Sequence, residues 1–216
     1  MQFNTKSGVD KIQDFDFIIQ AISSIIDLNT CLYSRYYDYT LSINGQAEQH
    51  GQDYEIDYLT DVIRRKALDW LKGYRNAKDQ LDDGNVSPFL MVLAPPAPHA
   101  PSVSAPQYKN EFLIRKAPRN PTFNYVKDGN KDKHWLMRYN SEPIDEDFAE
   151  TMDSWFRKRW RTLLSVDDLI DNVMRELEDM GELDNTFVLF SSDNGYHFGT
   201  FGMKDGKGSN YESGKP

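Results

Sequence analysis

The run Thr186-Phe-Val-Leu-Phe-Ser-Ser-Asp-Asn-Gly-Tyr-His-Phe-Gly199 constrains this chain more than any other stretch. It opens with four apolar residues, Phe187 to Phe190, all good β-formers, and breaks into a polar turn, Ser191 to Gly195. A short apolar run bounded by turn residues reads as a strand buried on both faces, as in an α/β protein. In open α/β sheets, ligands sit beyond the carboxyl ends of the strands. Asp193 and Asn194 then stand where oxygen donors could hold a hard cation such as Ca²⁺ or Mg²⁺. Gly195 permits the sharp backbone turn behind them. The plainer alternative, a simple turn after a strand, rests on the same Asn-Gly pair.

Other elements follow from periodicity. Apolar residues at Ile12, Phe15, Ile19, Ile22 and Ile26 predict a helix over 10–28. Tyr36 to Gly45 alternates and ends in Asn44-Gly45, which predicts a strand entering a hairpin turn. Tyr58, Val62, Ala67, Trp70 and Leu71 predict a helix over 57–71, with Gly73 as its stop. Phe89 to Ala94 predicts a second buried strand. It runs into the proline-dense segment Pro95 to Pro101, which carries His99 and cannot extend a ladder. A short helix is expected around 107–110. A long one is expected over 145–180, with Gly181 as its cap. Trp155 and Trp160 read as core, Arg157 to Arg159 as a solvated helix face, and Asp168 as solvated. A strand, a helix and a strand predict a parallel pair with a right-handed crossover, which would bring His99 near Asp193 and Asn194.

Composition bounds the function. The 216 residues suit one ordinary domain, and 39% apolar and 27% charged residues mark a globular chain. A net charge of −9 argues against a nucleic-acid partner, while leaving room for a local basic pocket for a sulfated or phosphorylated ligand. No apolar run is long enough to span a bilayer, so no membrane partner is expected. The first residues lack the pattern of a signal peptide. The single cysteine, Cys31, excludes an internal disulfide framework.

The motifs carry a resemblance. Ser192-Asp-Asn-Gly-Tyr-His197 followed by Lys207-Gly-Ser-Asn-Tyr-Glu212 resembles the metal-ligand and sulfate-lysine segments of the sulfatase family. Ala97-Pro-His-Ala-Pro101 with Ala105-Pro-Gln-Tyr108 is similar to its substrate-histidine segment. Tyr36 to Gly45, Asp57 to Val62, Lys133 to Leu136, Phe156 to Trp160 and Thr162 to Leu169 extend the likeness over about 36–212.

The resemblance implies an alkaline-phosphatase-like α/β sandwich, here incomplete. It implies a hydrolase for sulfuric esters of glucosamine in sulfated glycosaminoglycans such as heparan or keratan sulfate, and a lysosomal location. It implies a Ca²⁺ site with Asp193 and Asn194 as ligands, and a formylglycine nucleophile. Lys207 would stabilise sulfate and leaving-group charge, and His99 would touch sulfate or act as general acid. His197 and His134 are further candidate substrate contacts. These roles suit the chemistry, since a fixed cation and a lysine act where charge grows, and histidine donates protons near neutrality.

The N-terminal part departs from the pattern. Cys31-Leu-Tyr-Ser-Arg35 keeps the cysteine-to-arginine spacing of the family's nucleophile motif, but Tyr33 stands in place of its proline. The paired N-terminal aspartates of the metal site are not recognisable. Residues 1–35 are therefore expected to be an unrelated or aberrant segment, and 36–216 a partial catalytic domain lacking the formylglycine region. The chain alone is expected to be inactive or nearly so. A catalytically dead sulfate- or glycan-binding fragment is one alternative, and a heparan sulfate 6-O-endosulfatase-like protein is the other.

Overall fold

The structure, a computed structural model, describes residues 35–81, 88–126, 134–138, 141–204, 206–208 and 211–214. The expected helix over 10–28 and Cys31 lie outside the described residues. The chain forms two compact units, one of 35–96 with 169–183, the other of 97–168 with 184–214.

The first unit begins with a hairpin. Strands β1 (Thr40–Ile43) and β2 (Gln46–Gln49) are antiparallel, with Leu41 opposite Glu48 and Ile43 opposite Gln46. Asn44 and Gly45 link them at φ 50° and 82°, the two positive values that a tight hairpin of matching twist requires. Alternation turns Leu41 inward and Ser42 outward. A single turn, α1 (Tyr54–Asp57), follows. Its first amides are capped by Asp53, whose side chain accepts from Glu55 N at 3.0 Å.

Helix α2 (Leu59–Asp79) carries Leu59, Val62, Ile63, Ala67 and Leu71 into the core. There Tyr39, Leu41, Leu59, Val62, Ile63 and Leu169 form one buried cluster, with Leu93 and Val173 packed at its margin. Gly73 does not stop this helix, contrary to expectation. A mid-helix glycine costs about 1 kcal/mol. The turn beyond it more than offsets that: Tyr74 stacks on Trp70, both rings meet Phe89, and Arg75 pairs with Glu176 at 3.1 Å.

The two expected buried strands do not form. Phe89 to Ala94 and Phe187 to Phe190 belong to no strand ladder, and the hairpin is the only sheet among the described residues. Phe187 is 99% exposed and Leu189 92%. A strand exists only through hydrogen bonds to neighbouring strands, and β-propensity cannot supply them. The parallel pair is therefore not formed by these residues.

Helix α4 (Glu146–Asp179) agrees with its periodicity, and a single turn, α3 (Trp135–Arg138), precedes it. Asp145 caps its start by accepting from Phe148 N at 2.8 Å. Its end is a glycine cap: Gly181, at φ 68°, donates to Glu178 O, and Glu182 donates to Leu177 O.

In the second unit, residues 111–119 lie antiparallel along one stripe of α4. Arg161 Nε donates to Glu111 O at 2.7 Å, and Arg157 Nη1 to Arg115 O at 3.1 Å. One turn back, Asp153 Oδ1 accepts from Ala117 N at 2.9 Å and from Arg119 Nη2 at 2.7 Å. Arg119 also reaches Ala149 O. Positions 149, 153, 157 and 161 recur every four residues, so one helix face meets this strap throughout. Ahead of it, a 3₁₀ turn at Pro106–Tyr108 lets Tyr108 donate to Asp168 at 2.6 Å, so Asp168 is bonded rather than merely solvated.

The Asp153 carboxylate is buried, its side chain 5% exposed. Asp153→Ala would leave the Ala117 amide without its acceptor inside the protein. That is expected to cost about 2 kcal/mol or more, read as a lower midpoint in urea unfolding.

Candidate functional site

The site residues belong to the second unit, and loop geometry positions them. Gly195 N donates to Gly214 O at 3.2 Å, and His197 N donates to Gly206 O at 2.7 Å. These two bonds tie the Asp193–His197 segment to the Gly206–Gly214 segment. Behind them, Asn124 N donates to Gly199 O at 2.7 Å. The Asn124 side chain both donates to Ile144 O and accepts from Ile144 N, each at 2.8 Å. Gly202, at φ 73°, sits so close to Glu142 that a Cβ there would lie 2.6 Å from its carbonyl oxygen. Only glycine fits that turn.

This scaffold brings Lys207 to Asn194. Lys207 Nζ donates to Asn194 Oδ1 at 2.9 Å, and Asn194 Nδ2 donates to Gly195 O at 2.9 Å. The amide is thus oriented at both ends. Asp193 and Lys207 are exposed and Asn194 half-buried, so an ammonium, a carboxylate and an amide stand together at the surface. An ammonium there can meet an anionic oxygen without first being uncovered.

His99 stands on its own loop. Ser102 closes that loop by donating from N to His99 O at 3.0 Å, and its hydroxyl donates to Pro98 O at 3.2 Å. The ring contacts Ala100 O through Nδ1 at 2.7 Å. A carbonyl only accepts, so Nδ1 carries the proton in this contact. His134 lies exposed just before α3, its ring 5.6 Å from that of Trp135.

His197 differs from the others. It is 2% exposed, and its Nδ1 hydrogen-bonds the Ser213 hydroxyl at 2.7 Å. Burial pushes its pKa below the ordinary imidazole value, so it is neutral near pH 7. Its geometry favours holding two loops together over touching a ligand. Beside it lies a contact that sequence reading missed: the Arg159 guanidinium sits 3.7 Å over the Tyr196 ring. Arg159 is therefore packed rather than a free solvated charge. Its Arg-Lys-Arg surroundings gave no signal of this, because the partner ring is distant in sequence.

Asp193 and Asn194 offer oxygen donors of the type calcium takes. Two donors fall short of the roughly six to eight it needs. Among the described residues no group of three or more His, Cys, Asp or Glu is gathered where an ion could sit. The described residues do not by themselves make a calcium site.

Comparisons with known proteins agree on one family. The Sulfatase family pattern matches residues 1–215. The chain is 46% identical over 179 residues to N-acetylglucosamine-6-sulfatase of Bos taurus and of Homo sapiens, covering 83% of this chain and 30% of each relative. It is 37% identical over 181 residues to the Extracellular sulfatase SULF-1 homolog of Drosophila melanogaster, covering 83% of this chain and 15% of that protein. The chain thus spans about a third of the length of the first two relatives. Among solved structures it resembles BT4656 in complex with its substrate D-glucosamine-2-N,6-O-disulfate. The TM-score is 0.58 at 21% identity, over 84% of this chain and 45% of that one. This is a likeness of fold, the alkaline-phosphatase-like sandwich in part.

Burial of His197 has a consequence for stability. Below about pH 6.5 the unfolded chain binds a proton at this histidine that the folded chain refuses, so stability falls as pH falls. Thermal unfolding between pH 7.5 and 5 should show this loss. In His197→Gln the pH dependence should be flatter, with the two melting curves drawing together at acid pH.

Proposed function

The chain belongs to the sulfatase family, and from that membership we propose that it carries part of the active site of a sulfuric ester hydrolase. Its substrate is the 6-sulfate of N-acetylglucosamine residues in a sulfated glycosaminoglycan. One observation carries this: Lys207 meets Asn194 at 2.9 Å, two residues from separate segments that the resemblance independently assigns to one sulfate site. The relatives' name, N-acetylglucosamine-6-sulfatase, supports the choice of sugar and position.

Hydrolysis breaks the bond between sulfur and the sugar's 6-oxygen. A water oxygen ends on sulfur, and a proton must reach the departing 6-oxygen. Lys207, exposed beside Asn194, would bind sulfate oxygens and stabilise the charge that grows on them. His99, with Nδ1–H held by Ala100 O, would deliver that proton from Nε2 when the ring is doubly protonated. Asn194 orients Lys207, and Asp193 beside it adds a carboxylate. Together Asp193 and Asn194 would contribute to a Ca²⁺ site whose other ligands lie outside the described residues. Such an ion would supply a fixed positive charge. The attacking group in this reading is a formylglycine, which the described residues do not contain, and the setting is lysosomal.

With two metal donors and no nucleophile among the described residues, this chain by itself should bind the sulfated sugar but turn it over slowly or not at all. Calorimetric titration with N-acetylglucosamine 6-sulfate should show binding that Lys207→Ala weakens roughly tenfold, the loss of one charged hydrogen bond. Equal affinity for unsulfated N-acetylglucosamine would sink the proposal. Rapid hydrolysis of a fluorogenic glucosamine 6-sulfate by the purified chain would instead place a complete site here.

A further inference from the structure

The strap and the helix stripe beneath it form a cationic surface that the sulfate site does not use. Residues 154–166 of α4 contain four cations and no carboxylate, in a chain of net charge −9. Arg157 and Arg161 lie on the strap face of the helix, one turn apart. Each spends one N–H on a strap carbonyl, Arg115 O and Glu111 O, and keeps the rest of its fork. The strap adds Arg115 and Lys116, both exposed. The one carboxylate in the strap is that of Glu111, and Asp153 below is engaged by Arg119.

An aromatic ring lies among these charges. Trp160 is 40% exposed, not core as its periodicity suggested. Its ring meets Phe112 of the strap edge-on at 5.3 Å and Phe156 at 4.5 Å. On the helix wheel position 160 falls about 60° from 157, on the flank of the strap face. The opposite side of the same turn sends Arg159 onto Tyr196, two residues from Asn194.

We propose that Arg115, Lys116, Arg157, Arg161 and Trp160 form a binding surface for a sulfated polysaccharide, separate from the sulfate pocket. Guanidinium forks match the paired oxygens of a sulfate group, and an indole offers an apolar face to a sugar ring. Leu113 and Ile114 are also exposed on the strap, which would suit a membrane surface. Two side chains are a small wedge beside this concentration of fork donors, so the polysaccharide is the better fit. The proposal rests on the reading that the chain meets sulfated glycans, but its readout is separate.

The test uses the intact chain, a size-defined heparin hexasaccharide and its chemically desulfated counterpart. The sulfated probe should bind with an affinity that falls as salt rises. Arg115→Ala with Lys116→Ala should weaken it roughly fivefold, the loss of two exposed charge contacts. Arg115→Lys, which keeps the charge but loses the guanidinium fork, should fall between the parent and the double variant. Neither side chain is buried, so the melting temperature should stay, and titration with N-acetylglucosamine 6-sulfate should be unchanged. Undiminished heparin binding in the double variant overturns the proposal, and so does equal binding of the desulfated probe. Capture by phosphatidylserine vesicles in place of heparin would reassign the surface to a membrane. A failure of monosaccharide binding with heparin binding intact would count against the pocket alone.

Discussion

A buried carboxylate, Asp153, organises the second unit. Taking it out of water is costly unless every lone pair facing the interior finds a donor. The Ala117 amide and the Arg119 guanidinium are those donors, and both lie on the strap. Satisfying one helix residue therefore fixes the path of an irregular loop. Once Ala117 is held there, Arg157 and Arg161 meet strap carbonyls at the next two turns. A segment with no ladder of its own is thus held by side chains of one helix face.

The candidate site obeys a similar rule. Asn194 has no regular element to support it; it is oriented by hydrogen bonds at both ends of its amide, one to Lys207 and one to its neighbour's carbonyl. The backbone bonds from Gly195 and His197 hold the two segments at that spacing. His197 stays neutral and buried as a tie between them. The chemistry is therefore on loops, as it commonly is, while Asn124 and the close approach at Gly202 supply the rigidity.

In the first unit local and tertiary preferences coincide. The positive φ values at Asn44 and Gly45 suit the hairpin, and the stripe of α2 covers its inner face. Gly73 shows how the two can separate: propensity argued for a stop, and packing of Tyr74 against Trp70 and Phe89 carried the helix through.

Helices α2 and α4, the hairpin turn and the cap at Gly181 were legible in the amino-acid sequence, because their bonds join residues a few positions apart. The family was legible through the order of its motifs, those of Asp193, Asn194 and Lys207 among them. Tertiary structure alone decided that Lys207 meets Asn194, that His197 is buried on Ser213, that Arg159 covers Tyr196, and that a strap lies on α4. It also decided that Phe187 to Phe190, as good a strand as any by composition, joins no ladder and stays exposed. A helix satisfies its backbone within itself, whereas a strand and a site need partners from elsewhere in the fold.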